Sequence, residues 1–199
     1  GGIAGINGGI YNQDGGLLGG HPLGIVVSHG EIQMNSPQSP KGLYLIGFNN
    51  DNILIIKYIG DMSKADFESY VKEAGIRDAC VFQEESSDKN NHFVQLVING
   101  EAREMSGMGS GLNPRTAIGQ RADGAVLLLV TDGRGANSHL GASASDLINI
   151  MLEYGAVNAA NLDGGSSSCM YYDGSYLKTS VTFKYGNASW CLPLAFVVK

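Results

Sequence analysis

Short apolar runs broken by a turn-forming dipeptide recur along this chain, and that rhythm constrains the fold more than any other feature. LGIVVSHGEIQM turns at His29-Gly30, and LYLIGFNNDNILIIKYI turns between Asn49 and Asn52. VQLVINGEA turns at Asn99-Gly100, RTAIGQRADGAVLLLV at Asp123-Gly124 and MYYDGSYL at Asp173-Gly174. Asn-Gly and Asp-Gly adopt the positive φ angles that two-residue hairpins require, so these runs predict antiparallel neighbours. Glycine supplies 29 of 199 residues, about twice its usual share of ~7%, which fits a chain of tight turns and close backbone approaches.

Two segments carry a helical period instead. In SKADFESYVKEAG, Ser63 and Asp66 have the spacing of a capping box with the shorter acid, and Gly75 is the stop. In SASDLINIMLEYG, Ser143 and Asp146 repeat that arrangement, Leu147, Ile150, Met151 and Tyr154 form the apolar face, and Gly155 terminates it. Helices are therefore expected near residues 64–74 and 144–154. The fold class is α+β: a mainly antiparallel, curved or layered sheet system with two principal helices, in a single domain over residues 1–199. The opening GGIAGINGG reads as the middle of a domain, which predicts a natural segment upstream. EESSDKNN, residues 84 to 91, is polar without period and is expected to be an exposed loop.

Several function classes fall away. A formal charge of −6 leaves no basic stripe to displace counterions, so nucleic acid is not an expected partner. No apolar stretch approaches the ~20 residues of a membrane span. Cys80, Cys169 and Cys191 give neither metal spacing nor a disulfide framework.

Four segments carry chemistry at strand ends. NLDGGSSSCM contains Asp163, Gly164, Gly165, Ser166, Ser167 and Ser168; GINGGIY contains Asn7, Gly8 and Gly9. GLNPRTAIG contains Asn113, Arg115 and Thr116, and VLLLVTDGRG ends on Asp132, Gly133 and Arg134. Each alone reads as a turn. Together they supply two carboxylates, two guanidinium forks suited to phosphate, and glycines that admit an anion close to backbone N–H groups. A sugar phosphate matches that mixture. A metal held by Asp132 and Asp163 is the competing reading, but two carboxylates fall short of a hard-cation set, so no metal or cofactor is expected. His21, His29, His92 and His139 lack ligand spacing; His139 follows Asp132 by seven residues and is the one local base.

GINGGIY, GLNPRTAIGQRADGAVLLLVTDGR and LINIMLEYGAVNAANLDGGSSSCMYYDG, in that order, resemble the phosphodiester glycosidase domain family. That family includes N-acetylglucosamine-1-phosphodiester α-N-acetylglucosaminidase and bacterial exopolysaccharide-associated members. The resemblance runs from about residue 4 to the end and is most specific over residues 111–172. It implies hydrolysis of a sugar-1-phosphodiester to sugar and phosphomonoester, and a glycan or sugar-phosphodiester substrate met outside the cytoplasm. Departures are Cys169, where bacterial members carry Thr, and Ser189 and Trp190, where an Arg precedes the last strand. Arg134 varies within the family, which assigns it to specificity.

The chemistry divides the work. A phosphate leaving group, with a second pKa of about 6, gains little from protonation and needs charge stabilisation instead. Arg115 and a Gly164–Ser167 cradle are expected to provide it, with Asn7, Gly8, Gly9, Thr116 and Arg134 around the substrate. Asp163 or Asp132 activates water or attacks the anomeric carbon, and the glycines beside Asp163 favour it. Two other readings remain: a non-catalytic phosphoglycan-binding module, and a hydrolase with a Ser166–Ser168 or Cys169 nucleophile, which requires a base within reach.

Overall fold

The computed structural model describes residues 1–12, 20–84, 93–105, 111–135, 138–179 and 191–199. Residues 85–91 of the expected polar loop, with His92, Ser189 and Trp190, lie outside the described residues.

The strands in chain order are β1 (Ala4–Asn7), β2 (Tyr11–Asn12), β3 (His21–Pro22), β4 (Ile25–Ser28), β5 (Glu31–Asn35), β6 (Leu43–Asn49), β7 (Leu54–Tyr58) and β8 (Ile76–Gln83). They continue as β9 (Gln95–Ile98), β10 (Glu101–Ala102), β11 (Arg115–Arg121), β12 (Val126–Thr131), β13 (Ala156–Asn161), β14 (Cys169–Tyr172), β15 (Ser175–Thr179) and β16 (Ala195–Val198). The helices are α1 (Lys64–Glu73) and α2 (Ala144–Glu153). The strands form two five-stranded sheets, β5-β4-β8-β6-β7 and β10-β9-β13-β11-β12, one four-stranded sheet, β15-β14-β1-β16, and the small β2-β3 pair. Neighbouring strands run antiparallel in all four.

Turn chemistry sets the registers. At His29-Gly30, Asn99-Gly100 and Asp173-Gly174 both residues have positive φ, as a two-residue loop with the strands' own twist demands. Asp123-Gly124 differs from that expectation. Only Gly124 is left-handed, its N–H donates to Arg121 O, and Arg121 N–H donates to Ala125 O. The loop is one residue longer, because a type I turn closed by one left-handed glycine bridges the same strands.

Period-2 alternation then builds the layers. One face of the first sheet gives Ile25, Val27, Leu43, Leu45 and Val81 to a core closed by Phe67 and Val71 of α1. Its other face gives Ile46, Cys80 and Phe82 to a central core shared with Ile118 and Ala160 of the second sheet and Ile6 of β1. Ala117 and Ala159, one residue out of phase, face α2 and its Leu147, Ile148 and Met151. The order is thus α1, sheet, central core, sheet, α2, with the four-stranded sheet also facing the central core.

Both helices start on full capping boxes, Ser63 with Asp66 and Ser143 with Asp146, and each is followed by a left-handed glycine, Gly75 or Gly155. One expectation fails at the end of α2. Tyr154 is 63% exposed and Ile148 takes the buried place. Tyr154 is the C-cap residue, so its backbone has already left the helical phase that defined the face.

Candidate active site

The four chemistry-bearing segments meet at one end of the central core. Asn7, at the end of β1, is 2% exposed and ties three of them together. Its Nδ2 donates to the Asp163 carbonyl at 2.6 Å; its Oδ1 accepts from Thr116 Oγ1 at 2.7 Å and from the Cys169 N–H at 3.1 Å. The backbone completes the junction: Leu162 N–H donates to Thr116 O, Asp163 N–H to Gly8 O, and Gly165 N–H to Pro114 O. Asn7 and Thr116 thus lie beneath the surface, supporting the loop above them. Gly9 is forced by space, since a Cβ there would stand 2.1 Å from Val81 O.

Asp163 sits partly buried over Cys80 of β8. Burial raises its carboxyl from an ordinary 3.8 to about 6, against the lowering effect of hydrogen bonds from the Ser167 hydroxyl and the Gly164 N–H. Ser167 is itself buried, and its Oγ lies 3.3 Å from the Tyr11 hydroxyl. Cys80 accepts the Gly9 N–H, and burial pushes its thiol up to about 12, with the Asp163 charge adding to the rise.

The amide cradle expected at Gly164–Ser167 is not built as drawn. Gly164 N–H serves the Asp163 carboxyl, Gly165 N–H serves Pro114, and the N–H groups of Ser167 and Ser168 close a single 3₁₀ turn on Gly164 and Gly165. A turn this tight spends its own donors, which leaves positive charge to the side chains. Gly165 keeps a second role: its φ is +61°, and a Cβ there would meet Arg134 Nη2 at 3.0 Å.

Two guanidiniums flank this turn. Arg115 is 6% exposed, and its Nε and Nη2 donate to the carbonyls of Ala142 (3.1 Å) and Gly111 (2.7 Å). Burial lowers its pKa, and the charge of nearby Arg134 lowers it further. Arg134, exposed, donates from Nη1 to Ser166 Oγ at 2.8 Å and from Nη2 to Asn113 Oδ1 at 3.5 Å. Two like charges held together by neutral acceptors favour an anion between or beside them. Asn161 Oδ1 and Ser168 Oγ, both buried next to this turn, have no hydrogen-bond partner.

Asp132 has a different setting. One carboxylate oxygen meets His139 Nδ1 at 2.6 Å and the other meets Lys178 Nζ. Burial acts to raise its pKa, but the bonds from Lys178 and His139 outweigh that and hold it below the ordinary value. Lys178 and Cys80 carried no sequence signal, because each comes from a strand remote from the four segments. Tyr11 closes the GINGGIY segment and was visible only as its last letter. For the nucleophile reading, Ser166 Oγ accepts from Arg134, Ser168 and Cys169 are buried, and Ser167, also buried, has a base within reach in the Asp163 carboxyl. All three cysteines are free thiols, and among the described residues no group of three His, Cys, Asp or Glu could hold a metal ion.

The phosphodiester glycosidase family model matches residues 1–199, and the chain belongs to that family. A segment is 43% identical over 65 residues to the SPbeta prophage-derived uncharacterized protein YomE of Bacillus subtilis (strain 168), covering 33% of this chain and 10% of that protein. The zebrafish N-acetylglucosamine-1-phosphodiester alpha-N-acetylglucosaminidase catalytic domain, auto-inhibited by its pro-peptide, superposes with a TM-score of 0.73 at 19% identity, over 99% of this chain and 63% of that one. A putative exported protein from Burkholderia pseudomallei K96243 gives 0.58 at 14% identity, over 100% and 66%. The chain therefore spans about two thirds of these solved relatives and a tenth of YomE.

Proposed function

We propose that the chain hydrolyses sugar-1-phosphodiesters of the N-acetylglucosamine-1-phosphodiester type, in glycans or cell-envelope and exopolysaccharide polymers, releasing sugar and phosphomonoester. The observation that carries this reading is the Arg115–Arg134 pair beside a carboxyl that burial holds near pH 6. The guanidiniums neutralise the phosphodiester and take up the charge that grows on it as the sugar–oxygen bond breaks. Asp163, ionised above its raised pKa, takes a proton from the attacking water or adds to the anomeric carbon itself. A carboxylate of raised basicity is the better partner for either task.

The remaining residues fall into supporting places. Ser167 and the Gly164 N–H aim the Asp163 carboxyl, and Ser166 with Arg134 forms the exposed lip that meets the aglycone. Asn7 and Thr116 hold the Asp163 loop from below, and Gly8 and Gly9 let β1 approach β8 and β16. Asp132, spent on Lys178 and His139, acts as a counter-ion. No metal or cofactor enters this scheme. The site of action is extracytoplasmic, in keeping with a neighbour in fold described as exported.

Hydrolysis of a defined sugar-1-phosphodiester in ¹⁸O-labelled water tests the reading directly. Label in the released sugar is expected. Label in the phosphomonoester would mean P–O cleavage and remove Asp163 from its assigned target.

A further inference from the structure

The Asp132 cluster holds a carboxylate, an amine and an imidazole that the scheme above leaves without a chemical task. Each oxygen of Asp132 takes one basic partner, His139 at 2.6 Å and Lys178. The side chains differ sharply in exposure: Asp132 11%, Lys178 27% and His139 62%. Lys178 alone already neutralises Asp132. A proton on His139 therefore adds a whole uncompensated charge to the rim, where an ordinary His–Asp pair would only cancel itself.

The place of that charge is fixed by the loop after β12. Arg134 N–H donates to Leu140 O at 3.4 Å and Gly135 N–H to His139 O at 2.9 Å, folding residues 139–140 back on 134–135. Arg134 and Ser138 both hold positive φ, +54° and +66°, without being glycine, a costly backbone that persists where the surroundings impose it. The Asp132 carboxylate accepts from Nδ1, so Nδ1 carries a hydrogen and Nε2 is the nitrogen turned to solvent. Neutral, Nε2 is an acceptor; protonated, it is a charged donor on the loop whose Arg134 holds Ser166.

We infer that His139 is a proton-dependent third ligand for the substrate's anionic group, its ring positioned by Asp132 and its charge left uncancelled because Lys178 has already satisfied that carboxylate. The inference rests on the phosphodiester reading of the site. It adds that recognition of the anion tightens as the imidazole gains its proton. Among the described residues, the charged groups of this cluster are Asp132, just past β12, and Lys178 on β15, with Arg134 on the same loop as His139; Asp163, at the 3₁₀ turn, is the titrating group that must be held constant.

Inorganic sulfate is the suitable probe, because it keeps its charge from pH 5.5 to 8 while phosphate does not. Binding is measured by calorimetry at constant ionic strength in an Asp163→Asn background, which removes the other titration. The dissociation constant is expected to rise at least fivefold between pH 5.5 and 8. Adding His139→Gln should flatten that dependence and leave the pH 8 value unchanged, and the His139 Nε2 resonance of the parent should shift on sulfate addition. A merely structural clip would move neither the pH dependence nor that resonance. Arg115→Ala separates the two levels of the argument. If it abolishes sulfate binding while the pH dependence survives His139→Gln, the anion site stands and the role of His139 is overturned. If the parent binds no sulfate at either pH, the anion site and the inference fall together.

Discussion

Asp163 and Asp132 begin alike and end as opposites. Each is an aspartate followed by glycine just past the end of a strand of the second five-stranded sheet. Asp163 is partly buried near the Cys80 thiol, takes hydrogen bonds from one hydroxyl and one N–H, and its carboxyl rises to about 6. Asp132 is 11% exposed, and Lys178 and His139 hold its carboxyl below the ordinary value. Burial favours the neutral acid and a neighbouring cation favours the carboxylate, so the partner decides which aspartate stays reactive near neutrality. A carboxylate already bound to two bases makes a poor base. One held ionised against its surroundings makes a good one.

The sharpest way to break this contrast is to amidate each residue in turn. Asp163→Asn is expected to lower kcat by about 10²–10⁴ with substrate binding retained, whereas Asp132→Asn acts mainly through stability. Their stability effects should have opposite sign. A raised folded-state pKa costs stability once the unfolded chain ionises, so Asp163→Asn should gain about 2–3 kcal/mol at pH 8, a gain that shrinks as pH falls from 6 towards 4. A lowered pKa contributes stability above the unfolded value, so Asp132→Asn should lose stability at pH 8 and lose nothing in strong acid. Denaturant titrations at several pH values read both. If the two variants shift alike, the contrast is wrong.

Arg115→Ala comes next in size. Loss of a charge-stabilising donor costs about 10²–10³ in kcat, and KM should rise with it because the guanidinium meets the phosphate in the ground state too. Arg115→Lys should restore little, since one ammonium cannot replace the fork spanning the Ala142 and Gly111 carbonyls. Steady-state kinetics of the two variants decide the point.

Ser167→Ala sharpens the contrast more gently. Its hydroxyl lowers the Asp163 pKa, so removing it should move the acid limb of the kcat/KM profile upward by about half to one pH unit and reduce the plateau less than about tenfold. An unmoved limb would show that another group controls it. The smallest expected effect is none: exhaustive chelation with EDTA should leave turnover intact. Loss of activity restored by a divalent ion would place a metal between the two aspartates.

Much of this contrast was hidden in the sequence for a physical reason. The strand-end segments were legible because glycine, aspartate and hydroxyl residues after an apolar run break the local pattern. Asp132 could be seen; Lys178, 46 residues away on an edge strand, could not, because no local pattern marks which strand will lie across a carboxylate. The glycine-serine run invited an amide cradle, since sequence shows donors without showing where they are spent. Asn7 looked like a substrate contact and lies 2% exposed for the same reason.

Local rules determined the elements. The hairpins at His29-Gly30, Asn99-Gly100 and Asp173-Gly174 and the capping boxes of both helices involve residues within four of one another, whose torsional and hydrogen-bonding preferences act before any tertiary contact forms. Tertiary structure alone decided which carboxyl is neutral near pH 6, which arginine is buried and which donors remain unspent. Those properties depend on dielectric surroundings and on groups brought together from β1, β8, β11 and β15. Electrostatic energy follows distance in space, and the order of residues along the chain does not contain it.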